Sequence, residues 1–213
     1  MPWNSLMDAM MRKLHSQGTS IDDIVAVLRR TPTHPRIIQA IKSAHELGCD
    51  LKIVSDVNVF FIDTISEHHG LRECFSEIHT NPSFVDEEGR IRIFPLHDLG
   101  KHPHGCHHPC PPNMCKGIVI ERIQASLSAM DEKKTIVYMG LICKNRKLIK
   151  AGVCEWSNAE EFEHVLLHLI SKISIDKSNT AQPQPQPQLY LYSDCKLGLY
   201  QDPLCPSLGH KNG

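Results

Sequence analysis

The sequence predicts an α/β fold built around a short parallel sheet, and three observations carry that expectation. Residues 35–69 read helix, strand, helix with tight joints, the rhythm of a parallel sheet whose strands are joined by crossover helices. The run Asp50-Leu-Lys-Ile-Val ends in the small polar pair Ser55-Asp56. A second run, Thr135–Met139, follows a helical pattern that begins near Lys116. In such sheets ligands sit just past the carboxyl ends of the strands, which is where Ser55 and Asp56 are expected.

The elements follow in chain order. Residues 4–16 place Leu6, Met7, Met10, Met11 and Leu14 at helical spacing, with Gly18 closing the segment. Ser20 opens a second helix with Asp23 as a capping-box partner, and Ile21, Ile24, Val25 and Leu28 form its apolar stripe. A third helix, 35–47, starts on Pro35 and stops at Gly48. After the Asp50 strand, an apolar helical pattern runs from about Val59 to His69. Residues 75–94 read as strand and hairpin, with Gly89 at the turn and alternation across Ile91 and Ile93. The helix from Lys116 carries Ile118, Val119, Ile123 and Leu127; a basic helix-like run (143–151) and a further helix (159–173) come after the second strand. Gln182 to Gln188 alternates Gln and Pro, the pattern of an extended linker. The last 25 residues show no sustained period, so a poorly ordered tail is expected.

Bulk composition is that of a water-soluble domain. The chain has 213 residues, 41% hydrophobic and 22% charged, enough for one substantial core. A formal charge of −1 gives no basic excess, so no nucleic-acid partner is expected. No apolar run approaches the length of a membrane span, and the first residues lack the apolar core of a signal peptide; neither membrane association nor secretion is expected, and a cytoplasmic address follows by default. Nine cysteines is a high, odd count, read as mainly reduced thiols.

Two residues are candidates for anion chemistry. Ser55 at a strand's carboxyl end suits a phosphate oxygen, although many strands end in a Ser that satisfies its own turn. Lys116 opens a helix after a Pro-Pro-Asn-Met-Cys loop. A cation is unfavourable at that end of the helix dipole unless it shares a bound anion with it; the plainer reading is a solvated lysine. A third feature is the loop 97–115, which holds His97, His102, His104, Cys106, His107, His108, Cys110 and Cys115. Cys106, Cys110, Cys115 and His108 have the thiolate and imidazole chemistry of a tetrahedral Zn²⁺ site. The spacing matches no paired zinc ribbon or finger, so an unmetallated loop and a Cys106–Cys110 disulfide stand beside that reading.

Four segments, MPWNSLMDAMMRKLH, RTPTHPRIIQAIKSAHELGCDLKIVSDVNVFFIDTI, HTNPSFVDEEGRI and HGCHHPCPPNMCKGIVIERI, together resemble haloacid dehalogenase-like (HAD) phosphatases. The resemblance is closest to the subgroup acting on phosphocholine, phosphoethanolamine, pyridoxal phosphate or thiamine phosphate, and nearest to the plant thiamine phosphate phosphatase-like proteins. It covers about residues 1–140 and resumes around 141–170. It implies a Rossmann-like sheet with a small helical cap, and Mg²⁺-dependent hydrolysis of a small phosphorylated metabolite through an aspartyl-phosphate. By position, Ser55 and Lys116 match the family's phosphate-binding Ser and Lys, while Asp56 and Asn58 fall where the subgroup shapes its substrate pocket.

Two departures qualify the resemblance. The family's Asp-x-Asp-x-Thr strand should precede the helical hairpin, and no Asp-x-Asp pair occurs in the 213 residues. After Tyr138-Met139-Gly140, where an acidic Mg²⁺-binding motif is expected, the chain runs into Leu141-Ile-Cys-Lys. A truncated or alternative transcript product is therefore expected. The expected organisation is a helical cap piece (1–31), an incomplete α/β core (32–176), and a Pro/Gln linker with a disordered tail (177–213). Such a sheet lacks its centre and exposes strand edges open to association. Loss of a covalent nucleophile costs about 10⁴–10⁶ in turnover in unrelated enzymes, so a non-catalytic phosphate-binding or interaction form is the alternative to a phosphatase. Asp63, Asp86 and Asp98 lack the context to replace the missing nucleophile.

Overall fold

The computed structural model describes residues 2–97, 112–129, 136–139, 152–154, 159–178 and 188–191. Three helices come first: α1 (Trp3–Ser16), α2 (Ile21–Arg29) and α3 (Pro35–Glu46). The expected capping box of α2 is present, with the Asp23 backbone N–H donating to Ser20 Oγ (3.1 Å) and the Ser20 N–H donating to the Asp23 carboxylate (2.9 Å). α3 carries Pro at its first turn and ends before Gly48, whose φ of 78° is the left-handed value that glycine tolerates.

Strand β1 (Asp50–Val54) leads through a short loop to α4 (Val59–His68), and β2 (Phe75–His79) returns parallel to β1. A hairpin follows, β3 (Ser83–Val85) with β4 (Ile91–Ile93). Gly89 lies in its turn at φ 77°, and the Asp86 carboxylate accepts from the backbone N–H groups of Glu88 (3.2 Å) and Arg90 (2.9 Å). Then come α5 (Lys116–Ala129), β5 (Ile136–Met139), β6 (Gly152–Cys154), α6 (Ala159–Ser178) and β7 (Gln188–Leu191).

The main sheet has the order β2-β1-β7-β5-β6, with every neighbouring pair parallel. Its organisation corrects two expectations. Part of the tail expected to lack order, Gln188–Leu191, is a strand. The sheet centre expected to be empty is filled by that strand, which pairs with β1 on one side (Leu191 opposite Ile53) and β5 on the other (Leu191 opposite Met139). The inner edges of β1 and β5 are therefore paired rather than open to association. The physical reason is that a flanked central strand takes its conformation from two partners and needs no period of its own. The basic run 143–151 and the remainder of the tail lie outside the described residues.

Two apolar clusters hold the layers together. In the larger, Leu51 and Ile53 of β1 pack with Ile37, Ala40, Ile41 and Ala44 of α3 and with Phe162 and Leu166 of α6. In the smaller, Met11 of α1 meets Ile91 and Ile93 of β4, with Ile21 and Ile24 of α2 and Phe60 and Phe61 of α4 around them. The N-terminal helices are thus seated on the hairpin and on α4 by the same stripes that made them amphipathic. Among the described residues no helix is long and apolar enough to cross a membrane.

Candidate functional site

Ser55 is the first residue beyond β1 and is buried, at 2% exposure. Its backbone N–H donates to His79 O at 3.0 Å, so it sits in register with the end of β2. Its Oγ accepts from the Val57 N–H at 3.4 Å, and among the described residues its hydroxyl proton has no acceptor. A buried hydroxyl with a proton to give, at the carboxyl end of a parallel strand, suits an anionic oxygen.

Asp56 follows, half-buried. Asn58 is 1% exposed and caps α4: its Oδ1 accepts from the Phe61 N–H (3.0 Å) and from Ser83 Oγ (3.2 Å). That use is structural, an N-cap of the strong Asn type. Lys116 is half-buried and is the first residue of α5. It follows Asn113, Met114 and Cys115, at 0%, 2% and 0% exposure. The turn delivering the lysine is thus held by side chains packed inside the protein.

The two candidates are connected through one side chain. Asn81, at 0% exposure, lies just past β2. Its Nδ2 donates to the carbonyls of Asp56 (2.5 Å) and Val57 (2.9 Å). Its Oδ1 accepts from the Leu96 N–H (3.2 Å) and from Asn113 Nδ2 (3.3 Å). The Asn113 carbonyl in turn accepts from the His97 N–H at 3.1 Å. The loop after β1, the segment after β4 and the turn before α5 therefore meet at buried amides. Asn81 and Asn113 lie in the stretches HTNPSF and PPNMC, and neither stands out in sequence. A buried Asn gives no periodic signal, and its only local mark is its place beside Pro in two loops.

The other expected residues separate. Of the carboxylates weighed as replacements for a nucleophile, Asp63 is paired with Arg72 (2.7 Å) and Asp86 with Arg90 (2.8 Å), while Asp98 lies outside the described residues. Burial pushes the Asp86 carboxyl up, but bonds from the Arg90 backbone and guanidinium, with its charge, outweigh that and hold it below the ordinary range. For the zinc reading, Cys115 is buried at the start of α5, whereas Cys106, Cys110 and His108 lie outside the described residues. Among the described residues no group of three or more His, Cys, Asp or Glu side chains converges as a metal site would require.

Comparison with known proteins bears on the same segments. The family model described as Putative Phosphatase matches residues 1–141, a span that includes Ser55, Asn81 and Lys116. The chain is 47% identical over 206 residues to "Inorganic pyrophosphatase 1" of Arabidopsis thaliana, covering 83% of this chain and 70% of that protein. It is 44% identical over 207 residues to "Thiamine phosphate phosphatase-like protein" of the same plant, covering 84% of each. "Pyridoxal phosphate phosphatase PHOSPHO2" of Mus musculus is 28% identical over 141 residues, 65% of this chain and 56% of that one. No solved structure matches the chain. With the parallel α/β sheet and the family match over well more than half its length, the chain belongs to the haloacid dehalogenase-type phosphatase family.

Proposed function

We propose that this chain holds the phosphoryl group of a small phosphorylated metabolite between Ser55 and Lys116, as a phosphomonoester hydrolase of its family whose turnover in this form is weak or lost. The observation that carries the reading is the tie between the two residues. Ser55, whose hydroxyl proton has no acceptor among the described residues, and the turn leading to Lys116 are joined through Asn81 and Asn113. An anion lodged there would take a hydrogen bond from the serine, the charge of the ammonium, and the favourable dipole of the amino end of α5. Half-burial of Lys116 strengthens that attraction relative to open water.

The weakness of turnover follows from the sequence. No Asp-x-Asp pair is present to supply both a nucleophile and an acid/base. Among the described residues no three or more His, Cys, Asp or Glu side chains gather as a metal site would require, and the described residues account for binding alone. The substrate class rests on the names of the relatives: thiamine phosphate, pyridoxal phosphate and, from those named as pyrophosphatases, inorganic pyrophosphate. Phosphocholine joins them from the resemblance of the sequence.

The test is titration of the folded chain with inorganic phosphate, together with hydrolysis assays on the four compounds in Mg²⁺. Phosphate should bind, and Ser55→Ala and Lys116→Ala should each weaken it by about tenfold, the scale of one charge-assisted hydrogen bond. Absence of phosphate binding by folded protein would overturn the reading. Brisk turnover lost on Lys116→Ala would keep the site and show that another carboxylate attacks phosphorus.

A further inference from the structure

Resting on that reading of Ser55 and Lys116, we propose that Asn81 is a positioning residue of the phosphate site, fixing where the serine loop stands relative to the start of α5. A side-chain amide has two N–H donors and an oxygen with two acceptor positions. At Asn81 all four are engaged: two carbonyls on the nitrogen side, Asp56 and Val57, and two N–H donors on the oxygen side, from Leu96 and Asn113. Only one orientation of the amide satisfies that arrangement, since turning it over would set oxygen against two carbonyls and NH₂ against two donors. Its own backbone carbonyl adds a fifth tie, accepting from the Val59 N–H at the start of α4 at 3.1 Å.

The placement explains why one residue serves both halves of the site. Asp56 and Val57 are the next two residues after Ser55, so the bonds to their carbonyls fix the path the chain takes on leaving the serine. Asn113 lies three residues before Lys116, and the intervening Met114 and Cys115 are buried, so a shift at Asn113 is transmitted to the lysine. Asn81 itself is fully buried, and its side-chain amide is already spent on bonds within the protein. Its effect on phosphate would come through the other two residues, and such effects are read as coupling rather than as lost contact.

The experiment is a double-mutant cycle on the full chain, with inorganic phosphate as the probe and circular dichroism as the check on folding. Asn81→Ala should weaken phosphate binding by about tenfold, and adding Lys116→Ala should cost clearly less than it does in the unmutated chain. Amide hydrogen exchange should quicken at His97 and across Asn113–Lys116, although none of those backbone N–H groups bonds to the Asn81 side chain. Unchanged phosphate affinity in folded Asn81→Ala, or strictly additive losses, would overturn the proposal while leaving Ser55 and Lys116 as the site. Should the unmutated chain bind no phosphate, both that reading and this one fall. Should Asn81→Ala not fold, Asn113→Ser takes its place: it cuts the bond to Asn81 Oδ1 and keeps the backbone tie to His97, so the same cycle with Lys116→Ala decides the matter.

Discussion

Asp8 on α1 and Arg92 on β4 meet at 3.0 Å, and the same carboxylate oxygen accepts the Ile93 backbone N–H, also at 3.0 Å. The second oxygen lies 3.2 Å from Arg12, one helical turn along. A charged group 8% exposed is thus answered on three sides, and it fastens the first helix to the hairpin beside the smaller apolar cluster. Asp8→Ala would strand the Ile93 N–H, and a buried donor without an acceptor costs about 1–3 kcal/mol. Asp8→Asn keeps an acceptor for that N–H and should lose less. Urea unfolding of both variants measures the difference; equal losses would assign the effect to the charge instead.

Removal of residues 182–213 takes β7 away and leaves the inner edges of β1 and β5 without partners. Unpaired parallel strands beside an apolar core are templates for other chains. The shortened protein should therefore self-associate, with scattering mass rising with concentration where the full chain's does not. A stable monomer lacking those residues would show that the pairing of β7 contributes little.

Lys52 is buried within β1, with Glu77 directly against its ammonium, Ser76 Oγ at 3.1 Å and Asp50 at 3.3 Å. Its carboxylate partners are 48% and 24% exposed on their side chains, so both can return to water if the lysine is removed. Lys52→Met should accordingly cost only about 1 kcal/mol, far below the loss seen when a fully buried pair is broken. Thermal unfolding checks this. A drop several times larger would mean that the carboxylates stay desolvated.

The Asp23 carboxyl is held below its ordinary range by the Ser20 hydroxyl and then by the Ser20 backbone N–H. A carboxyl with a lower pKa folded than unfolded adds stability that is fully present above the unfolded value. That stability is lost as pH falls through the folded value. Asp23→Ala should thus lower the unfolding temperature at neutral pH, and its gap from the unmutated protein should narrow as the solution is acidified. A gap independent of pH would remove the carboxylate from the explanation.

How much of this was legible in sequence depended on whether the deciding physics was local. Ser20 with Asp23, Pro35 with Gly48, and Gly89 at its turn act within a few residues, and each element they punctuate stands close to its expected bounds. Ser55 at the end of β1 and Lys116 at the start of α5 were placed by the same local logic. β7 was not, because four residues with no period become a strand only through partners 138 positions earlier on one side and 52 earlier on the other. Asn81 escaped for a similar reason. Its importance lies in bonds to Asp56, Val57, Leu96 and Asn113, which come together only once three loops have converged.

The middle place of β7 also bears on how the protein is made. Ribosomes deliver a chain from its amino end, and segments begin to fold as they emerge. The pairs β1–β2 and β5–β6 are each joined by close neighbours in sequence, but neither pair bonds to the other; both bond, directly or through a partner, to β7. The strand that unites the sheet is the last of the described strands to be translated. Until it is released, the two strand pairs lack the partner they share, and during that interval a chaperone has most to shield.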